Sequence, residues 1–244
     1  MRPRERFGTV IFDCDATLSE IEGIEELGRE HRAEVEALTD AAMSGQLPLE
    51  QVYGRRLELA RPDRERVLAV GQLYVDRIVP DTLGVVTALR AHGVDVRIVS
   101  SGVLPAVLVL SRMLGLPDDR VAAVDLHFSD DGRYEGYDPT SPLAASGGKV
   151  RAIQEWGSAL RRPVMMVGDG ATDLETRPVV DLFVAFAGVA ARPRVMAAAD
   201  VVIHQRSLAP VLPLALESPP RDEPARSLYQ RGLSMLKSND RNDA

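Results

Sequence analysis

The chain has 244 residues, 45% of them hydrophobic, and a formal net charge of −7. That length fits one domain carrying an insertion, or two small domains. The acidic balance argues against nucleic acid or an anionic membrane surface as the main partner, and a single cysteine, Cys14, excludes an internal disulfide and fits a reducing compartment.

Residues 1–6 are basic, but the apolar run after them is cut at Asp13, so no secretory signal is expected. The longest uncharged stretch, 98–111, contains Pro105 and is too short to span a bilayer. A soluble cytoplasmic protein is expected.

Residues 7–12 read as a buried strand that runs into Asp13-Cys14-Asp15-Ala16-Thr17. Acids at the end of a buried strand cost solvation energy, and two of them this close repel. A divalent cation relieves both problems, because Mg²⁺ takes a few carboxylates together with phosphate oxygens. The alternative for this stretch is an Asx-type turn after the strand. Cys14, small and beside a strand end, reads as packing rather than as a nucleophile.

From 18 to 79 the pattern is helical. Val35, Leu38 and Ala42 recur at helical spacing, and Ser44-Gly45 and Pro48 break the run. A second helix puts Leu49, Val52, Tyr53, Leu57 and Ala60 on one stripe with Arg56 inside it, and Pro62-Asp63 signals the start of a third. Such a block, inserted between strands, is placed to cover a site.

Beyond 80, strands and helices alternate. A helix through Leu83, Val86 and Leu89 stops at Gly93; a strand through Val94, Val96 and Ile98 meets Ser100-Ser101-Gly102; a helix through Val107, Leu110 and Leu114 ends at Gly115. Residues 124–128 and 134–137 flank Asp130-Asp131-Gly132, a hairpin signal. After a loop over 139–148, Ile153, Trp156 and Leu160 mark a helix. A strand over 163–167 then meets Gly168-Asp169-Gly170, and short strands follow at 182–186 and 201–203. The tail from about 218 is rich in Pro, Ser, Arg and Asp; Leu228, Leu233 and Leu236 suit a short helix, but the composition reads as disordered.

This alternation predicts an α/β fold, a three-layer Rossmann-like core with a mostly parallel sheet plus an inserted helical cap. In such sheets ligands bind outside the carboxyl ends of the strands. Three expected strands end at Asp13, Ser100 and Asp169, so polar groups distant in sequence meet at one rim. The chemistry they suit is hydrolysis of a phosphate monoester. Asp13 can be the nucleophile that forms an aspartyl-phosphate, and Asp15, on the same side of an extended chain, can protonate the leaving oxygen and later deprotonate water. Ser100 can bond a phosphoryl oxygen beside a helix start. Lys149, behind Gly147-Gly148, supplies a cation, and Asp169 and Asp173 suit Mg²⁺. Gly168-x-Gly170 lacks the third glycine of a dinucleotide site, and Gly148-Lys149 does not complete a P-loop. The four histidines show no metal spacing.

In order, Asp-x-Asp-x-Thr, then Ser, then Lys, then Gly-Asp-Gly-x-x-Asp resembles the haloacid dehalogenase superfamily. Glu22-Gly23-Ile24-Glu25-Glu26-Leu27, Ala42-Met43-Ser44-Gly45, Ser146-Gly147-Gly148-Lys149 and Gly168-Asp169-Gly170-Ala171-Thr172-Asp173-Leu174-Glu175 resemble its phosphoserine phosphatase family, over about 7–212. The resemblance implies hydrolysis of O-phospho-L-serine to L-serine and phosphate, in serine biosynthesis. It implies Asp13 as nucleophile and Asp15 as acid/base, with Mg²⁺ held by Asp13, the backbone carbonyl of Asp15, Asp169 and, directly or through water, Asp173. Ser100 and Lys149 would hold the phosphoryl group, Glu22 the substrate ammonium and Arg56 its carboxylate, with Met43, Ser101, Gly102 and Thr172 lining the pocket. The core would comprise 1–17 and 80–216, the cap 18–79, and the disordered tail 217–244.

Read from its stripe alone, Arg56 is better explained by snorkelling out of the helix edge; the resemblance reverses that preference. The chain also departs from the family: Ala16 stands where Ser is usual, and Ser101 where Gly is usual. A related phosphatase or phosphotransferase acting on phosphohomoserine or histidinol phosphate is a second reading. A non-catalytic phospho-acceptor module is a third, against which Asp15, Lys149 and the helical block all argue.

Overall fold

The computed structural model describes residues 6–239. The chain opens with β1 (Thr9–Phe12), followed by α1 (Gly23–Leu27), α2 (Arg32–Met43), α3 (Leu49–Ala60) and α4 (Arg64–Asp76). Then come α5 (Thr82–Ala91), β2 (Asp95–Val103), α6 (Leu104–Met113), β3 (Val121–Val124), and the strands β4 (Leu126–Phe128) and β5 (Tyr134–Tyr137). The chain continues through α7 (Gly148–Trp156), β6 (Val164–Gly168), α8 (Ala171–Leu174), β7 (Leu182–Phe186), α9 (Pro193–Ala198), β8 (Val201–Ile203), α10 (Val211–Ala215) and α11 (Glu223–Asn239).

The main sheet has the order β3-β2-β1-β6-β7-β8, with every neighbouring pair parallel. Parallel strands need crossovers, and the helices that supply them cover both faces. This is why β1 and β6 are apolar and buried along their whole length. β1 is central: the chain leaves it for β2 on one side and later returns to β6 on the other. That reversal leaves a crevice at the carboxyl end of β1. β4 and β5 form a separate antiparallel pair.

The structure differs from the sequence reading in four places. β2 runs on through Ser100-Ser101-Gly102 to Val103, because a register shift between Val99 and Val103 absorbs the polar residues without ending the strand. Residues 121–124 form β3 rather than leading into the hairpin; the chain breaks at Asp125, whose Oδ1 accepts the Leu126 N–H at 2.9 Å. α7 ends at Trp156, where Gly157 takes a positive φ and a short turn over 157–159 follows, so Leu160 lies beyond the helix it was expected to mark.

The tail is the fourth correction. Expected to be disordered, it forms α11, which buries Ala225, Leu228 and Tyr229 and packs on α5 and α10. Asp222 accepts the Ala225 N–H at 3.1 Å at the helix start. Gly232 allows the helix to lie against the Ala209 carbonyl, where a Cβ would come within 2.2 Å. The composition was polar because only one face of the helix is covered. The part of the tail expectation over 240–244 lies outside the described residues.

The helical block 23–76 leaves and rejoins the sheet side by side. The Val79 N–H donates to the Leu18 carbonyl at 2.9 Å, and Ser19 pairs with Ile78. Asp63 caps α4, accepting the Arg66 N–H at 2.7 Å. α4 then docks on α6 at Gly71, where a Cβ would meet Val109 at 2.7 Å.

Candidate active site

The carboxyl ends of β1 and β6 meet at the crevice. The Asp13 N–H donates to the Val167 carbonyl at 2.9 Å, which extends the sheet ladder and pins Asp13 at its rim. Asp169 follows β6 directly. Asp173 turns back from α8 and accepts the Gly170 N–H at 2.9 Å. This return requires Gly168, where a Cβ would lie 2.2 Å from the Asp173 carboxyl carbon.

Asp13, Asp169 and Asp173 are all buried, and each brings a carboxylate oxygen within 4.8 Å of the others. The Lys149 Nζ lies 2.8 Å from Asp13 Oδ1 and 2.6 Å from Asp173 Oδ1. Burial and the neighbouring Asp173 push the Asp13 carboxyl well above its ordinary range, against the pull of Lys149. Burial and Asp173 likewise push Asp169 up to about 6. Burial alone would lower the Lys149 ammonium, but Asp13 and Asp173 more than reverse this and hold it charged. Three buried carboxylates in excess of their local cations, all offering oxygen, fit a hard divalent metal. No histidine or cysteine joins this cluster among the described residues. Cys14 is fully buried in the core, with its thiol pushed up by burial.

The Asp15 side chain turns away from the cluster. Its Oδ1 accepts the Gly23 N–H and the Tyr74 hydroxyl, each at 2.6 Å, and its Oδ2 accepts the Ser100 hydroxyl at 3.3 Å. Ser100 Oγ in turn accepts the Gly102 N–H at 2.9 Å. Ala16, just beyond, takes a positive φ of 49° that carries the chain into the helical block.

Asp13, Asp15, Lys149, Asp169 and Thr172 share one pocket with Glu22, Ile24, Met43, Arg56, Ser101 and Gly102. Ser100 and Asp173 are buried behind that lining, Ser100 bonded to Asp15 and Asp173 to Lys149. The pocket has about 380 Å³ of empty space, part of it open to solvent. Arg56 is only 3% exposed, so it does not snorkel. Its Nη1 donates to Thr39 Oγ1 at 3.1 Å and its guanidinium lies 5.5 Å from the Tyr53 ring centre. Arg56 Nε, Ser101 Oγ and Thr172 Oγ1 are buried without a hydrogen-bond partner among the described residues. Burial, followed by Asp15 and Asp169, pushes the Glu22 carboxyl well up.

The haloacid dehalogenase-like hydrolase family model matches residues 7–176. The chain belongs to this family. It is 36% identical to the chloroplastic phosphoserine phosphatase of Arabidopsis thaliana, over 80% of this chain and 68% of that protein. It is 35% identical to the phosphoserine phosphatase of Bos taurus, over 76% of this chain and 84% of that one. A substrate-bound phosphoserine phosphatase structure superposes with a TM-score of 0.75 at 26% identity, covering 86% of this chain and 99% of that one.

Two residues of this hydrolase were not singled out from sequence. Arg192, in the loop after β7, donates from Nε to Asp169 Oδ2 at 3.1 Å and reaches Glu22 and Asp40, each at 3.5 Å. Its place beyond a strand's carboxyl end was a usable signal. Tyr74 offered none, since a buried aromatic on a helix stripe reads as core.

Proposed function

We propose that this hydrolase is a Mg²⁺-dependent phosphatase that converts O-phospho-L-serine to L-serine and phosphate through an aspartyl-phosphate on Asp13. The observation that carries the substrate class is Arg56, a buried guanidinium with an unpartnered Nε, in a pocket that also contains Glu22 and the acid cluster. A buried cation with a free donor suits a carboxylate, Glu22 suits an ammonium, and the far wall suits a phosphoryl group. These are the three charged parts of phosphoserine.

In this reading Asp13, Asp169 and the backbone carbonyl of Asp15 hold Mg²⁺, with Asp173 behind them. The ion, when bound, neutralises charge on the phosphoryl oxygens. Asp13 Oδ1 is already held by the Cys14 N–H and by Lys149, which leaves Oδ2 to attack phosphorus. As the ester bond breaks, Asp15 gives its proton to the departing serine oxygen. Water then attacks the phosphoryl-aspartate, and Asp15 takes the proton back. Lys149 and the Ser100 hydroxyl steady the phosphoryl oxygens. Residues 18–79 act as the cap and 1–17 with 80–216 as the core. Glu22, Met43 and Arg56 of the cap line the pocket together with residues of the core, so in this reading the cap opens for entry and closes to exclude water. The reducing cytoplasm suits the single buried thiol.

Phosphate release measured over a panel of phosphorylated amino acids and sugars, with and without Mg²⁺, tests this. O-phospho-L-serine should give the highest kcat/KM, and Asp13→Asn should abolish it. Preference for phosphohomoserine or histidinol phosphate would overturn the substrate, and phosphate release by Asp13→Asn the mechanism.

A further inference from the structure

We infer that Tyr74 is a positioning residue for the acid/base Asp15: its hydroxyl pins Oδ1 and so leaves Oδ2 as the oxygen that moves the proton. The inference rests on the proposed phosphatase reading and adds a residue of the helical block to it.

Tyr74 is fully buried on α4, and its hydroxyl donates to Asp15 Oδ1 at 2.6 Å. Gly23 makes room for that hydroxyl: a Cβ there would lie 2.0 Å from it. The same Asp15 oxygen accepts the Gly23 N–H at 2.6 Å. Oδ1 therefore has two short donors, whereas Oδ2 has only the Ser100 hydroxyl at 3.3 Å. An oxygen that accepts two short hydrogen bonds is held as the acceptor, and the other, which accepts a single long one, is the better placed to carry the proton, so the transferable proton belongs on Oδ2.

The reach of Tyr74 depends on how α4 is seated. Gly71, one turn earlier, lets α4 approach α6 so closely that a Cβ there would meet Val109 at 2.7 Å and the Ala106 carbonyl at 3.0 Å. α6 follows β2, which carries Ser100. The hydroxyl is thus delivered by a helix held against the core.

An Asp13 oxygen forms a bond to phosphorus, the phosphorus–serine oxygen bond breaks, and its electron pair takes the proton from Asp15 Oδ2. Tyr74 keeps its own proton throughout. An alkyl leaving group needs that proton; a nitrophenolate leaving group departs without it. Loss of an orienting contact should therefore fall selectively on alkyl esters.

The test is kcat/KM for O-phospho-L-serine and for p-nitrophenyl phosphate in wild type and Tyr74→Phe, which removes one oxygen. kcat/KM reports steps up to leaving-group departure and is not affected by the later hydrolysis. Part of the roughly 10²–10⁴-fold that a general acid contributes should be lost, about 10- to 100-fold on phosphoserine, with the aryl ester changed less than about threefold. Gly71→Ala, which pushes α4 off Val109, should shift the ratio in the same direction and serves if Tyr74→Phe does not fold. An equal fall on both esters, or no fall in whichever variant folds, overturns the inference. If wild type ignores phosphoserine, the substrate reading fails separately, and the comparison is made with whichever alkyl phosphate the panel identifies.

Discussion

The Arg192 guanidinium joins a carboxylate of the sheet to one of the helical block: its Nε lies 3.1 Å from Asp169 Oδ2 and its Nη2 3.5 Å from Glu22 Oε1. Asp169 belongs to the acid cluster and Glu22 to the entrance of α1, so one cation spans both walls of the pocket. Ligating carboxylates commonly carry such an outer hydrogen bond, which fixes their orientation.

Removing it should expose the cost of the acid cluster. Arg192→Ala leaves a buried carboxylate without its partner, a change worth up to about 3–5 kcal/mol in a fully buried pair and less at this partly open position. The metal-free variant should melt below wild type, and the gain in Tm on adding Mg²⁺ should be larger in the variant, because the ion replaces the lost charge. Thermal melts of both proteins with and without Mg²⁺ check this; equal Mg²⁺ gains would show that Arg192 and the cluster are not coupled.

Lys149 stands between Asp13 and Asp173 at 2.8 and 2.6 Å, so it is both the counterion of Asp13, the proposed nucleophile, and a brace for the cluster. Lys149→Met should lower kcat/KM by at least about 100-fold, as expected when a preorganised cation is lost. Lys149→Arg should not restore it, because a planar fork cannot fill a site shaped for a compact ammonium. Steady-state kinetics of the two variants decide this, and near-wild-type activity in either would remove Lys149 from the reacting centre.

Much of this arrangement is legible in sequence because it hangs on strand ends. Asp13 and Asp169 follow apolar runs, Ser100 interrupts one, and Lys149 and Asp173 sit beside glycines that signal tight turns. What sequence hides is anything set by tertiary approach. Tyr74 meets Asp15 only because Gly71 lets α4 down onto α6. Arg192 reaches Glu22 across a gap that no spacing records. Arg56 is a similar case, since its stripe fits both a snorkelling and a buried guanidinium, and burial decides. The α11 helix escaped because a helix with one covered face can be polar enough to resemble a disordered tail.

α11 should therefore stabilise without taking part in chemistry. Leu228 and Tyr229 are buried, α11 packs on α5 and α10, and Arg231 pairs with Asp81 at the start of α5. Leu228→Ala should cost about 2–4 kcal/mol, as for other buried leucines, and leave kcat/KM unchanged below the melting range. Urea unfolding with parallel kinetics checks both parts; an unstable variant with altered kcat/KM would tie α11 to the site.

The acid cluster sets a pH dependence in the metal-free protein. Asp169 is pushed up to about 6 when folded, against about 3.9 in an unfolded chain. Between those values the folded state binds more protons than the unfolded state, so stability falls as pH rises through that window. Asp169→Asn removes this contribution. In the absence of metal, the Tm difference between Asp169→Asn and wild type should grow in favour of the variant from pH 4 to pH 7. Saturating Mg²⁺ should abolish that trend in wild type. A difference independent of pH without metal would mean that Asp169 is ionised at ordinary carboxylate values.

The division of labour between Arg56 and Glu22 can be read from a substrate that lacks one charge. O-phosphoethanolamine keeps the ammonium and phosphoryl groups of phosphoserine but has no carboxylate. Arg56→Ala should cost phosphoserine about 2–5 kcal/mol in kcat/KM, the range for truncating a buried hydrogen-bonded charge partner, and leave phosphoethanolamine nearly unaffected. Glu22→Gln should penalise both substrates, because both present the ammonium. Among the described residues Arg56 Nε has no hydrogen-bond partner, so in the proposed reading its donor serves the substrate, and the selectivity should follow the carboxylate rather than side-chain size. Equal losses on the two substrates in Arg56→Ala would instead mark Arg56 as a structural cation held for Thr39 and Tyr53.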